Sequence, residues 1–350
     1  MKWTKVISKT IAYFSIAVLL NACTKDLKLP DISAKNEVVL LGELVAGDSI
    51  NFRGGQSVPL SSGSSLKFEL PAGLAATMTS SSGMLWTLNG RVDGFSNMVH
   101  TLIFSAPDLI QSGQTYTITA QNSQLGTASC SVTIPQPFNT YVADTATVLY
   151  SGSNLWRAKV NIIDDGSAMN FYTIEALKQK VYIDGTFTYN GQTIKASDNK
   201  DLYDSLKAAG TLPPVIWDTS YSPTYERVDI YTDDPATENI KLSNALSTNR
   251  RILLSDVRFN GLAYTTSVYL DTTIFRADED SAKGRIVLLV KSVSESYFNF
   301  LKGYEMYEPS TGFTSLAQPV KIDGNVTNGM GMVGGVYLHK FVYTFDQWDW

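Results

Sequence analysis

The sequence predicts an all-β protein, and three observations carry that prediction. Apolar residues alternate with Ser and Thr in short runs, Gly, Asn, Asp and Pro break those runs at close intervals, and strong helical spacing is confined to one stretch, about residues 293–307. The expected arrangement is an N-terminal antiparallel Ig-like sandwich over residues 37–136, then a larger antiparallel β domain over 139–350 with that short helix. Hydrophobic residues make up 44% of the chain, enough for a sizeable core. Charged residues are only 17%, a composition that suits an exported β protein rich in Ser, Thr, Gly and Tyr.

The first residues read as an export address. Lys2, Lys5 and Lys9 precede an apolar run over 11–20, and Leu20-Asn21-Ala22-Cys23 follows directly. A stable membrane span needs roughly 20 apolar residues, so this run is expected to be the core of a signal peptide over 1–22. A branched apolar residue three before a Cys, and a small one just before it, resembles the lipobox of bacterial lipoproteins. That resemblance implies cleavage before Cys23 and lipid on its Sγ. Each buried methylene contributes roughly 0.8 kcal/mol, so two or three acyl chains hold a soluble domain on a membrane. Thr24, in place of Asp, implies the outer membrane, with its periplasmic and surface faces both open. The polar stretch 23–36 is expected to be a tether.

With Cys23 lipidated, Cys130 has no disulfide partner. It alternates with Ala128, Val132 and Ile134 on one strand face, which predicts a small buried hydrophobe. Strands are expected at 37–44, 65–70, 85–88, 99–104, 114–120 and 127–134, ending at Pro135-Gln136-Pro137. Beyond that boundary, 156–163 and 170–177 flank Asp164-Asp165-Gly166 and predict a hairpin. Residues 188–225 read as an insertion, with a short helix over 201–209 stopped by Gly210. Strands resume at 227–232, 251–255, 263–270 and 285–293. Ser292 and Glu295 are spaced as a capping box for the helix that follows, whose Tyr297, Leu301 and Tyr304 share a face. The glycines of 329–335 predict positive φ or close backbone approach before a last strand over 336–345.

Taken in order, these pieces resemble the DUF4249 family of Bacteroidetes lipoproteins. The resemblance rests on the lipobox, Val38-Val39-Leu40-Leu41-Gly42-Glu43-Leu44, Gly113-Gln114-Thr115-Tyr116, Asn170-Phe171-Tyr172, Ser255-Asp256-Val257-Arg258-Phe259-Asn260-Gly261, Ser294-Glu295-Ser296-Tyr297 and Asn325-Val326-Thr327-Asn328-Gly329-Met330-Gly331. It spans nearly the whole mature chain, with Asn-Phe-Tyr where the family usually has Asn-Tyr-Tyr. It implies a cell-envelope lipoprotein, often encoded beside a TonB-dependent outer-membrane transporter, and no established catalytic residues.

The residues themselves point to binding rather than catalysis. A net charge of −5 without a basic block argues against nucleic acid as a partner. Two histidines, His100 and His339, both sit in strand-like runs, and no spacing matches a metal or phosphate site, so no cofactor and no metal is expected. The acidic clusters at Asp164-Asp165, Asp233-Asp234 and Asp278-Glu279-Asp280 read as solvated turns. Trp217, Tyr221 and Tyr225 fall in a Pro-rich stretch and are the candidate ligand-binding residues, suited to a glycan or a peptide. The expected function is a non-catalytic outer-membrane lipoprotein serving a TonB-dependent transporter, with a surface glycan- or peptide-binding module as the alternative and an envelope hydrolase a third reading.

Overall fold

The computed structural model describes residues 36–57, 70–92, 101–150, 152–238, 247–275, 283–310 and 322–345. Cys23 with the expected signal peptide and most of the expected tether, all but the last residue of the strand expected at 65–70, His100 and the 278–280 cluster lie outside the described residues. The chain is all-β, as expected. In order, its strands are β1 (Val38–Val45), β2 (Ser49–Gln56), β3 (Ala75–Ser80), β4 (Leu85–Asn89), β5 (Arg91–Val92), β6 (Leu102–Leu109), β7 (Thr115–Asn122), β8 (Gly126–Thr133), β9 (Asn139–Tyr150) and β10 (Ser153–Ile163). There follow β11 (Phe171–Tyr189), β12 (Gln192–Lys195), helix α1 (Lys200–Ala208), β13 (Ile216–Val228), β14 (Ile230–Thr232), β15 (Ser247–Asn249), β16 (Ile252–Ser255), β17 (Ala263–Asp271), β18 (Lys283–Val293), helix α2 (Glu295–Ser310) and β19 (Met330–Phe345).

Two sandwiches share one sheet. A ten-stranded sheet runs β12-β11-β18-β19-β1-β2-β6-β5, with β13 and β16 also paired to β11. Its β1, β2 and β6 face a four-stranded sheet, β4-β3-β7-β8, across a core that includes Leu40, Phe52, Phe104, Met78, Ile118 and Val132. Its β11 and β18 face a five-stranded sheet, β15-β14-β17-β10-β9, across a second core built on Tyr172, Ile174, Leu288, Trp156, Val160 and Val268. Strict alternation drives both cores: in β7, Tyr116, Ile118 and Ala120 are buried, and in β8, Ala128, Cys130 and Val132 are, as their spacing predicts. Pro135–Pro137 separates the two sets of strands in sequence, yet β1 and β19 pair in parallel, from Val39↔Met330 to Val45↔Val336, so one sheet takes strands from both sides of it.

The hairpin expected around Asp164-Asp165 does not form. β10 pairs with β9 and β17 in one layer, while β11 pairs with β18, β13 and β16 in the other. The acidic turn crosses between layers, and Asp164 staples the crossing. Its carboxylate accepts from Gly261 N at 2.7 Å, Gly166 N at 3.0 Å, Asn170 Nδ2 at 2.9 Å and Tyr172 Oη at 2.6 Å. Burial pushes its pKa up, but these four donors more than reverse that and leave it below the ordinary aspartate value.

The helices also test the sequence reading. α1 ends as predicted: Gly210 takes φ +68°, its amide reaches Lys207 O at 3.1 Å and the Thr211 amide reaches Leu206 O at 3.0 Å, a Schellman closure. The capping box before α2 is overturned. Ser292 lies inside β18, 2% exposed, and Ser294 starts the helix through its carbonyl, which accepts from Phe298 N at 2.9 Å. The Ser294 hydroxyl accepts instead from Gly335 N at 3.2 Å, docking the helix start on β19. α2 buries Phe298 and Leu301 against Leu253, Val293 and Val336. The close approach expected of the glycines is present: a Cβ at Gly334 would stand 2.4 Å from the Tyr297 ring.

Candidate functional site

Trp217, Tyr221 and Tyr225 lie on a strand, not on the loop their prolines suggested. β13 pairs antiparallel with β11, so the stretch read as an insertion extends the large sheet. The register matches Trp217 with Gly185, Tyr221 with Val181 and Tyr225 with Gln179. These β11 partners differ by even steps, so all three rings project from one face. A bulge over Ser222–Thr224, opposite the step from Gln179 to Val181, keeps Tyr225 on that face. It also draws Tyr225 to about 7 Å from Tyr221 along the strand, while Trp217 stands about 13 Å away on the other side.

The rings are presented, not packed away. Trp217 is 53% exposed, Tyr221 52% and Tyr225 48%. Trp217 and Tyr221 are nevertheless held. Trp217 lies over Gly185, whose missing Cβ leaves room for the indole, and meets Tyr203 of α1 edge-on at 6.4 Å. Tyr203 in turn packs on the buried Phe187 at 6.0 Å. The Arg285 guanidinium sits over the Tyr221 ring, 4.2 Å from its centroid. Gln179 fixes that guanidinium by accepting from its Nε, and gives its own amide to the Ser222 carbonyl at 2.6 Å. The same face carries Arg227, which pairs with Glu175.

Beyond the aromatic row this face holds a buried ionic chain. Lys291 Nζ stands 3.1 Å from Glu43 and 3.4 Å from Glu175, Arg227 reaches Glu175 at 3.2 Å, and Tyr297 of α2 donates to Glu43 at 2.5 Å. Burial raises the Glu175 pKa, but the charges of Lys291, Arg251 and Arg227 win and hold it below the ordinary glutamate value. The chain ties α2 to the sheet at the end opposite the aromatic row. Nothing in the sequence announced it, because its members come from β1, β11, β13, β18 and α2.

The remaining candidates behave as structural residues. Cys130 is 4% exposed, and burial pushes its thiol up to about 12. His339 lies in β19 with Nε2 2.8 Å from the Phe138 carbonyl. Asp234 accepts from Tyr264 Oη and Ala236 N. Among the described residues, no group of three or more His, Cys, Asp or Glu is placed to hold a metal ion, and no helix is long and apolar enough to cross a membrane. Sequence reasoning missed Arg285 and Gln179, whose roles arise from pairing across β13, β11 and β18, and Tyr203, whose role arises from packing of α1 on Phe187 and Trp217.

A search of curated proteins returns no match. A family model described as a domain of unknown function, DUF4249, matches residues 29–339. The match covers both sandwiches, the shared sheet and the aromatic row, and on it the chain belongs to the DUF4249 family.

Proposed function

We propose that this protein is a non-catalytic, lipid-anchored protein of the outer membrane that docks on, or handles ligand for, a TonB-dependent transporter. Its contact surface is the row Trp217, Tyr221 and Tyr225. The row itself carries the reading: three large rings, each about half exposed, are held in register on one face of one strand. Soluble surfaces seldom leave such a row uncovered, and Trp and Tyr concentrate at the centres of contacts. The Cys23 lipobox and the family resemblance support the membrane address and the transporter. A surface glycan binder is the second reading, favoured by the flat exposed rings, which suit a sugar face.

The test is crosslinking in intact cells followed by mass spectrometry, with Cys23→Ser and with Trp217→Ala/Tyr221→Ala. Links to one outer-membrane transporter, lost in both variants, are the expected result, since each ring contributes about 2 kcal/mol or more if it is a central contact. An anchored, protease-accessible protein without transporter links contradicts the docking role and directs the same variants to glycan binding.

A further inference from the structure

The face of β13 accounts for the rings; its outer edge has a chemistry of its own. β13 is 13 residues long and pairs on one side only, with β11, among the described residues. The orientation of its backbone groups follows from the register. The Gly185 carbonyl accepts from the Ala196 amide at 2.7 Å, on the side of β11 away from β13. Antiparallel pairs alternate between hydrogen-bonded and non-hydrogen-bonded, so Gly185↔Trp217 is of the second kind. The amides and carbonyls of Trp217, Thr219 and Tyr221 therefore face outward. In keeping with this, the Thr219 amide donates to the neighbouring Asp218 carboxylate at 2.9 Å, and the Ser222 carbonyl faces inward to Gln179.

We infer that the Ile216–Tyr221 edge takes up an extended peptide segment of a partner protein as an added strand, whose side chains on the face it shares with the rings include both apolar and acidic residues. This rests on the aromatic row being the contact surface, and it names the kind of partner. Outward amides and carbonyls at strand spacing complement another extended backbone. The added strand's side chains on the aromatic face become cross-strand neighbours of Trp217 and Tyr221. The Arg285 guanidinium over Tyr221 supplies the charge for the partner's carboxylates. Pro223 and the bulge end the usable edge, because Pro has no amide to offer and the bulge breaks the register. The six residues before it are the acceptor length.

The test pans a displayed random-peptide library against the full chain in detergent micelles, then measures amide exchange with an enriched peptide bound. Enriched peptides are expected to carry aromatic or branched apolar residues together with Asp or Glu at every second position, so that both fall on the ring face. Their binding should slow exchange at Trp217, Thr219 and Tyr221 tenfold or more. Thr219→Pro removes an outward donor at an edge position where Pro is tolerated, and should weaken binding at least tenfold. No enrichment, or enriched peptides that bind Thr219→Pro unchanged, overturns the inference. Slowing of the same amides with protein concentration alone assigns the edge to a second copy of this chain and also overturns it. The exchange readout in the unmutated chain decides the matter should Thr219→Pro not fold. Cellular crosslinks abolished by Trp217→Ala but untouched by Thr219→Pro refute strand addition while leaving the contact surface standing.

Discussion

At the scale of single residues, carboxylates do the work of joining layers. Asp164 gathers four donors from the turn, from β11 and from the loop carrying Gly261, so its removal leaves the Tyr172 hydroxyl and two amides short of an acceptor. Asp164→Ala is expected to cost about 3 kcal/mol, read as a lower denaturant midpoint at unchanged slope. Glu175 sets an acid response. Its folded pKa lies below the ordinary value of 4.5, so its ionic contribution is fully present above that value and is lost as pH falls through the folded pKa. Stability of the native chain should therefore drop in that acid window. Glu175→Gln should be about 3–5 kcal/mol less stable near neutrality, because Lys291 and Arg227 lose a buried partner, and should show a flatter acid limb. Cys130, its thiol held up near 12 and its side chain inside the first core, should resist thiol reagents in the folded protein and react on denaturation.

At the scale of elements, what the sequence made legible was local and what it hid was pairing. β7, β8, β10, β17 and β18 stand where alternation predicted them, and α1 ends at the predicted glycine, because period and turn chemistry act within a few residues. β13 was hidden because its residues are exposed on both faces and interrupted by Pro223; it is a strand only because β11 is long enough to template it. Trp217, Tyr221 and Tyr225 could be picked out by residue type, and their spacing of four suits one face of a strand, but nothing local marked the stretch as a strand. The supposed hairpin failed for the same reason: two good strand patterns and an acidic turn do not say whether the chain returns to the same sheet. The N-terminal half of β19 read as loop because it is glycine-rich, yet its glycines are what let α2 approach. Gly334→Ala would drive a Cβ into the Tyr297 ring, which also donates to Glu43. A loss of about 1–3 kcal/mol is expected, with the near-ultraviolet circular dichroism of the Tyr297 and Phe300 environment changed.

At the scale of the whole molecule, the shared sheet decides how the chain must fold. β1 pairs with β2 on one side and with β19 on the other, across nearly the full sequence. The first core includes Val333, Ser129 and Thr327 exchange both backbone hydrogen bonds, and Lys291 of β18 reaches Glu43 of β1. A fragment confined to residues 37–136 keeps the facing four-stranded sheet but loses the central neighbour of β1. It exposes a long apolar edge where Val39, Leu41 and Val45 met β19. Such a fragment should be aggregation-prone and lack a cooperative unfolding transition, whereas the intact chain should unfold the two sandwiches together. Calorimetry and denaturant titration of both chains check this. A fragment that unfolds cooperatively by itself, or an intact chain with two separate transitions, would show that β1–β19 pairing only joins two self-sufficient sandwiches. With coupled unfolding, by contrast, a load on β13 at the far end of the sheet is carried as far as β1, since β11, β18 and β19 lead from it strand by strand to β1.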